Sequence, residues 1–238
     1  MGVKIPIKLK NPKLVSVSFE LRFESHEAYS DLIALNLVNS LVMQTKASMF
    51  QLPIMQLPPI ARANDPTLKY SPLFGVNLEN LVVQVGPRVL VVTTENYPGW
   101  DVFSKVIENV LKYTEGYRIK TERIGFRTIN FFVGENVENS LNTKVETNIG
   151  LEKSSCNFSL VYNEGDNRSR LSFSNDAKIS KKGMPEQGGS FIDIDSFYEG
   201  NPSDVLEKIN SLHTLGKRVF FESLTESFVK NLGPEYAE

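Results

Sequence analysis

Residues 201–234 read NPSDVLEKINSLHTLGKRVFFESLTESFVKNLGP. The pattern is that of one long amphipathic helix with both ends marked. Asn201 can cap the start, Pro202 suits the first helical position, and Asp204 puts a carboxylate in the first turn. Val205, Ile209, Leu212, Gly216, Val219/Phe220, Leu224 and Phe228 recur at three- and four-residue steps and form a single apolar stripe. Gly233-Pro234 is a stop signal. About 30 residues at about 1.5 Å each make a rod of roughly 45 Å. A rod of that length needs a wide apolar surface to lie on, and the rest of the chain reads mainly as strands.

Leu14 to Phe23 alternates Val15, Val17, Phe19, Leu21 and Phe23 with Ser16, Ser18, Glu20 and Arg22, the period of a half-buried strand. A densely apolar helix follows from about Ser25-His26-Glu27 to Val42. Residues 47–78 carry Pro53, Pro58, Pro59, Pro66 and Pro72, which predict short extended pieces and a loop around Ala61 to Ser71. Residues 81–85 and 89–93 form a hairpin around Gly86-Pro87-Arg88 with apolar residues on both faces. Pro98 opens a second helix that runs to Gly116. Arg118 to Val133 is a long strand with a kink expected at Gly125, and 135–141 is a short helical turn. Strands are predicted at about 144–152, 155–163, 168–175 and 190–196, with a hairpin tip at 163–167 and a glycine-rich loop at 180–190.

These elements assemble into an α+β fold: a mainly antiparallel sheet with helices on one face and the long C-terminal helix crossing it. Asp101-Val102-Phe103-Ser104-Lys105-Val106 echoes Asp204-Val205-Leu206-Glu207-Lys208-Ile209, and Phe19-Glu20-Leu21-Arg22 echoes Ile124-Gly125-Phe126-Arg127. The expectation is a single α+β unit, 1–238, pseudo-duplicated as 1–116 and 117–238.

The chain has 238 residues, 41% hydrophobic and 23% charged, within the range of ordinary globular proteins. Its net charge of -2 gives no general attraction to nucleic acid or to an anionic membrane. No apolar run approaches about 18 residues, so no membrane span is expected. The N-terminus lacks the apolar stretch of a signal peptide. One cysteine, Cys156, excludes an internal disulfide and fits a reducing compartment. The expected location is cytoplasmic.

No cluster carries a specific catalytic or cofactor signature, so no catalytic residue, metal ligand or cofactor is assigned. Six residues are candidates for binding. Arg123, Arg127 and Asn130 lie on one predicted strand, with the two arginines on one face and Asn130 on the other. Two arginines at this spacing can hold a phosphate or carboxylate, or pair with acidic residues on a neighbouring strand. Asp193 and Asp195 share a face and suit a divalent cation, acid–base work, or those same arginines. His213 sits beside the apolar stripe of the last helix, as a general base, a pH switch or a packed boundary residue. Glu20, Arg22 and Glu24 resemble the charged strands of triphosphate tunnel enzymes, but their Glu-x-Glu-x-Lys pattern fails at Arg22 and Glu24.

The strand Arg123-Ile124-Gly125-Phe126-Arg127-Thr128-Ile129-Asn130, the aspartate-bearing strand before the last helix, and Leu212-His213, Phe220 and Leu224-Thr225 together resemble a sporadically distributed family of uncharacterised prokaryotic proteins of similar length. The resemblance implies an accessory role, in a mobile element or a defence system, and supplies no catalytic residues. The leading expectation is a non-catalytic binding or protein-interaction module with an unknown protein partner or small ligand, and with homo-oligomerisation open. Two rival readings are a small-molecule carrier whose sheet grips the last helix over a cavity, and a phosphate- or triphosphate-acting enzyme.

Overall fold

The computed structural model describes residues 4–25, 30–117, 119–145, 153–180, 183 and 185–237. In chain order the elements begin with β1 (Lys8–Leu9), β2 (Leu14–Ser25), α1 (Ser30–Thr45) and β3 (Ser48–Gln51). A short 3₁₀ turn (Pro53–Gln56) and α2 (Pro59–Asn64) precede β4 (Phe74–Leu78), β5 (Leu81–Gly86), β6 (Val89–Thr94) and α3 (Trp100–Lys112). Then come β7 (Ile119–Val133), a 3₁₀ turn (Glu138–Ser140), β8 (Asn157–Glu164), β9 (Asn167–Ile179) and β10 (Gln187–Glu199). The chain closes with α4 (Val205–Ser223), α5 (Glu226–Asn231) and β11 (Pro234–Glu235). Among the described residues, nine strands form one sheet in the order β3-β4-β5-β6-β2-β7-β10-β9-β8. The pairings β3–β4, β4–β5, β5–β6, β6–β2 and β8–β9 are antiparallel, so the fold is sheet-dominated α+β, as the alternation predicts.

The chain forms two compact units that interleave in sequence. The hairpin unit comprises Ser16–Phe126 and Phe197–Ile209; the terminal unit comprises Met1–Val15, Arg127–Ser196 and Asn210–Glu238. In the hairpin unit, α1 packs on β3, β4 and β5. Ile33, Leu37, Val38 and Leu41 of α1 are buried, as are Phe19, Leu21 and Phe23 of β2, Val83 and Val85 of β5, and Leu90 and Val92 of β6. The 81–94 hairpin forms with Gly86 opposite Val89, and its second face, with Val82 and Val91 half-buried, is the more open one. Helix α3 begins at Trp100, not at Pro98, because Gly99 takes a positive φ of 97° as its N-cap.

The proline-rich segment holds the short extended pieces expected, β3 and β4, but departs from expectation between them. Pro53 and Pro59 each stand at the first turn of a helical piece, where a missing N–H costs nothing, so the chain winds over 53–56 and 59–64. Arg62 of α2 is buried and closes a bidentate pair on Asp31 of α1, at 2.7 and 3.3 Å. The strand expected at 144–152 and His26 fall largely or wholly outside the described residues. Strands β9 and β10 reach further than their alternation suggested, β9 ending at Ile179 and β10 starting at Gln187.

The expected single C-terminal helix is two helices. Asp204, not Asn201, caps the first: its Oδ1 accepts the N–H groups of Leu206 (2.7 Å) and Glu207 (3.0 Å). Asn201 instead accepts the N–H of Thr121 at 3.1 Å. The break at Ser223–Thr225 has a clear cause in the segment after the second 3₁₀ turn. Asn142 donates its side-chain amide to the carbonyls of Glu222 (2.7 Å) and Leu224 (2.9 Å), and its N–H to that of Ser223 (2.8 Å). Thr225 turns to φ −65°, ψ 148° and donates its N–H to Ser140, and α5 restarts at Glu226. The apolar stripe survives the break because Leu224, Phe228 and Val229 still pack on the same core. That core holds Phe132, Leu171, Phe173, Ile192 and Ile194 from the strands, against Leu215, Val219, Phe220 and Phe221 from α4. After α5, Gly233 adopts a φ of 67° and β11 pairs with β1, a two-stranded closure that the sequence pattern does not announce.

Candidate functional site

In the terminal unit, β7, β10 and β9 present two unlike faces. Phe132, Leu171, Phe173, Ile192 and Ile194 turn to α4 and α5 and are buried. The alternating residues Arg127, Asp193, Arg170 and Ser172 form the other face, and Arg127 and Arg170 are exposed. On this face Arg127 donates to both oxygens of Asp193, Nε to Oδ1 at 2.8 Å and Nη2 to Oδ2 at 2.6 Å. The arginine side chain is 51% exposed and the aspartate 13%. Asp195, two residues along, is half-buried with the same parity. Asn130 shares the parity of Phe132 and is buried.

Arg123 serves the hairpin unit. Its Nη1 lies 2.5 Å from Glu20 Oε1, and its guanidinium packs over the Phe197 ring at 4.8 Å. Gly125 makes this possible: a Cβ there would lie 2.5 Å from Arg123 Nη1. The Arg-x-Gly-x-Arg pattern therefore has a packing explanation at its first half. Glu20 also receives Arg22, whose guanidinium stacks on Tyr70 at 4.8 Å. Tyr70 donates to Glu122 at 2.7 Å, with Lys69 at 3.4 Å. Burial acts to raise the Glu122 carboxyl, but the Tyr70 and Lys69 contacts outweigh it and leave the group below its ordinary range. Glu24 pairs with Arg88 at 3.6 Å. The charges that suggested a triphosphate site thus hold one another.

His213 is half-buried on α4, and burial, reinforced by the Lys217 ammonium one turn on, lowers it to about 4. It is a neutral imidazole at physiological pH. Lys217 is itself lowered by burial and donates to the Pro6 carbonyl at 3.0 Å. One turn from His213, Gly216 lies flat on β10, where a Cβ would sit 3.0 Å from Ser196 Oγ. Ser196 in turn exchanges a hydrogen bond with Ser169 at 2.9 Å, both fully buried.

Of the six sequence candidates, the structure joins Arg127 and Asp193 in one pair. It puts Asn130 on the opposite face and engages Arg123 with Glu20. Cys156 is buried, and burial together with nearby Glu138 raises its thiol, which suits a packed residue and not a nucleophile. Trp100 packs edge-on against Phe126, and Tyr97 against Phe103, an aromatic corner of the hairpin unit. A cleft of about 340 Å³ is lined by Gln51, Leu52, Pro53, Met55 and Gln56, none of them on α4. Among the described residues, no group of three or more His, Cys, Asp or Glu side chains is placed to hold a metal ion. No helix among them is long and apolar enough to cross a membrane. Sequence reasoning missed Arg168 and Arg170, whose alternation along β9 was available as a signal.

No model of a known protein family matches the chain, and no curated protein matches it either.

Proposed function

We propose that this protein is a non-catalytic binding or interaction module, and that its contact surface is the face of the terminal unit that carries Arg127, Asp193 and Arg170. The observation that carries this reading is the Arg127–Asp193 pair. It sets a planar guanidinium, half-exposed and already oriented, on a flat strand surface. A guanidinium held this way can meet an acidic or polar partner at little entropic cost. Arg123 is engaged by Glu20, and Asn130 is buried on the opposite face, which supports placing the contact surface at Arg127 and Asp193.

The same reading takes the protein as cytoplasmic, as related to the sporadic prokaryotic family with the Arg-x-Gly-x-Arg-x-x-Asn strand, and as accessory to a mobile element or defence system. It also takes the chain as two similar halves, 1–116 and 117–238. The strand order supports that idea, because β4-β5-β6-β2 and β7-β10-β9-β8 are mirror sequences of a first strand and a three-stranded meander. A helix follows each meander, α3 and α4.

The test is a screen of the purified protein against phosphoesters, triphosphates and esters. No turnover above background is expected. Robust turnover that disappears in Arg127→Ala or His213→Ala, with the fold intact by circular dichroism, overturns the proposal.

A further inference from the structure

The two outer strands of the sheet are finished differently. At one end β3 is only four residues long, with Lys46 at a positive φ just before it and Pro53 just after. Short length, charge and proline are the usual guards of a sheet edge. At the other end β8 runs for eight residues, NFSLVYNE, with no charged residue or proline from Asn157 to Asn163. It pairs with β9 on one side and is exposed along nearly its whole length. Leu160 is 36% exposed, Val161 50% and Tyr162 40%.

The register assigns these side chains. Phe158 lies opposite Phe173, Leu160 opposite Leu171, and Tyr162 opposite Ser169. All three therefore extend the apolar face that α4 covers further in. Phe173 and Leu171 are fully buried, but the row ends at Leu160 and Tyr162 in solvent. The apolar layer stops one strand short of a natural boundary.

We propose that β8 is a homodimer edge, pairing antiparallel with β8 of a second copy about a two-fold axis through Leu160 and normal to the sheet. That axis keeps the apolar rows of both copies on the same side. It sets Leu160 against the partner's Leu160, Phe158 against the partner's Tyr162, and Ser159 against the partner's Val161. Asn157 meets the partner's Asn163. Every opposed pair shares a face, Leu160 and the Phe158–Tyr162 pairs meet apolar to apolar on the row that α4 covers further in, and no like charges face each other, which is what an isologous strand pair requires. Moving the axis to Val161 would set Phe158 against Glu164, and moving it between Leu160 and Val161 would oppose side chains from different faces. An axis at Ser159 would pair only residues 157–161 of the strand, so the longest register free of an apolar–charged pair is the one through Leu160.

The inference is independent of the surface proposed around Arg127, and it is tested separately. Analytical ultracentrifugation of the full chain over a range of concentrations should give a mass twice that of the monomer. Leu160→Lys and Val161→Lys should each return it to the monomer, with thermal melts confirming that the fold persists. In a Cys156→Ser background, Leu160→Cys should form a symmetric disulfide-linked dimer on oxidation, and Ser159→Cys should not. A wild-type chain that stays monomeric, a dimer that survives both lysine substitutions in folded protein, or crosslinking at Ser159→Cys in preference to Leu160→Cys would overturn the proposal.

Discussion

On β10, Ile192 and Ile194 are buried in the core of the terminal unit, while Asp193 between them meets Arg127 at the surface. On β9, Leu171 and Phe173 are buried, while Arg170 is exposed and Ser172 half-buried between and beside them. The two faces of the same strands are one residue apart in sequence and obey different rules. On the covered face the buried Ser169 and Ser196 hydroxyls are matched by each other, because water cannot do it. On the open face an ion pair competes with solvent and can be exchanged for another partner. The same residue type therefore carries different weight according to its parity.

The sharpest way to break this comparison is to remove one aromatic ring from the covered face. Phe173 is fully buried and packs against Phe158 with ring centroids 5.3 Å apart. Phe173→Ala should cost about 3–5 kcal/mol, read from the urea midpoint at constant slope. Ser172→Ala, its neighbour on the open face, should stay within about 0.5 kcal/mol. Similar losses at the two positions would mean that the open face is covered as well.

The parity that separates these faces was legible in the sequence, and so was the apolar stripe of the last helices. Alternation over Leu14–Phe23 reports burial directly, because one face of the strand is covered. What could not be read were events decided by distant backbone groups. The stripe from Val205 to Phe228 is unbroken, yet the helix stops at Ser223 because Asn142, some 80 residues earlier in the chain, takes its last carbonyls. Asn201 looks like a cap, but the N–H of Thr121 claims it, and Asp204 caps instead. Likewise the candidate charges were visible, but their pairing was not. Arg123 and Arg127 share a parity, and only the neighbouring strands determine that one meets Glu20 and the other Asp193.

His213 tests the covered side from its margin. Its folded value of about 4 lies below the ordinary value of 6.5, with burial as the main cause. Between those limits the unfolded chain binds more protons than the folded one, so stability present above pH 6.5 is lost as pH falls towards 4. The loss should be on the order of 2–3 kcal/mol across that window. His213→Gln should flatten that part of the profile. Coincident wild-type and variant curves would place His213 with the solvent-facing groups.

The smallest effect is expected at the open face itself. The Arg127–Asp193 pair has good bidentate geometry, but its arginine is half in water, so its coupling should be about 0.2–1 kcal/mol in a double-mutant cycle. The asymmetry of exposure adds a second expectation. Asp193 is much the more buried partner, so Arg127→Ala leaves a carboxylate short of its donor and should cost more than the coupling alone. Asp193→Ala, which removes the partner of an arginine already half in water, should cost less. Added salt should shrink the coupling, because the arginine end is open to screening. A coupling above about 2 kcal/mol that ignores salt would contradict the open-face assignment, since only a desolvated pair behaves that way.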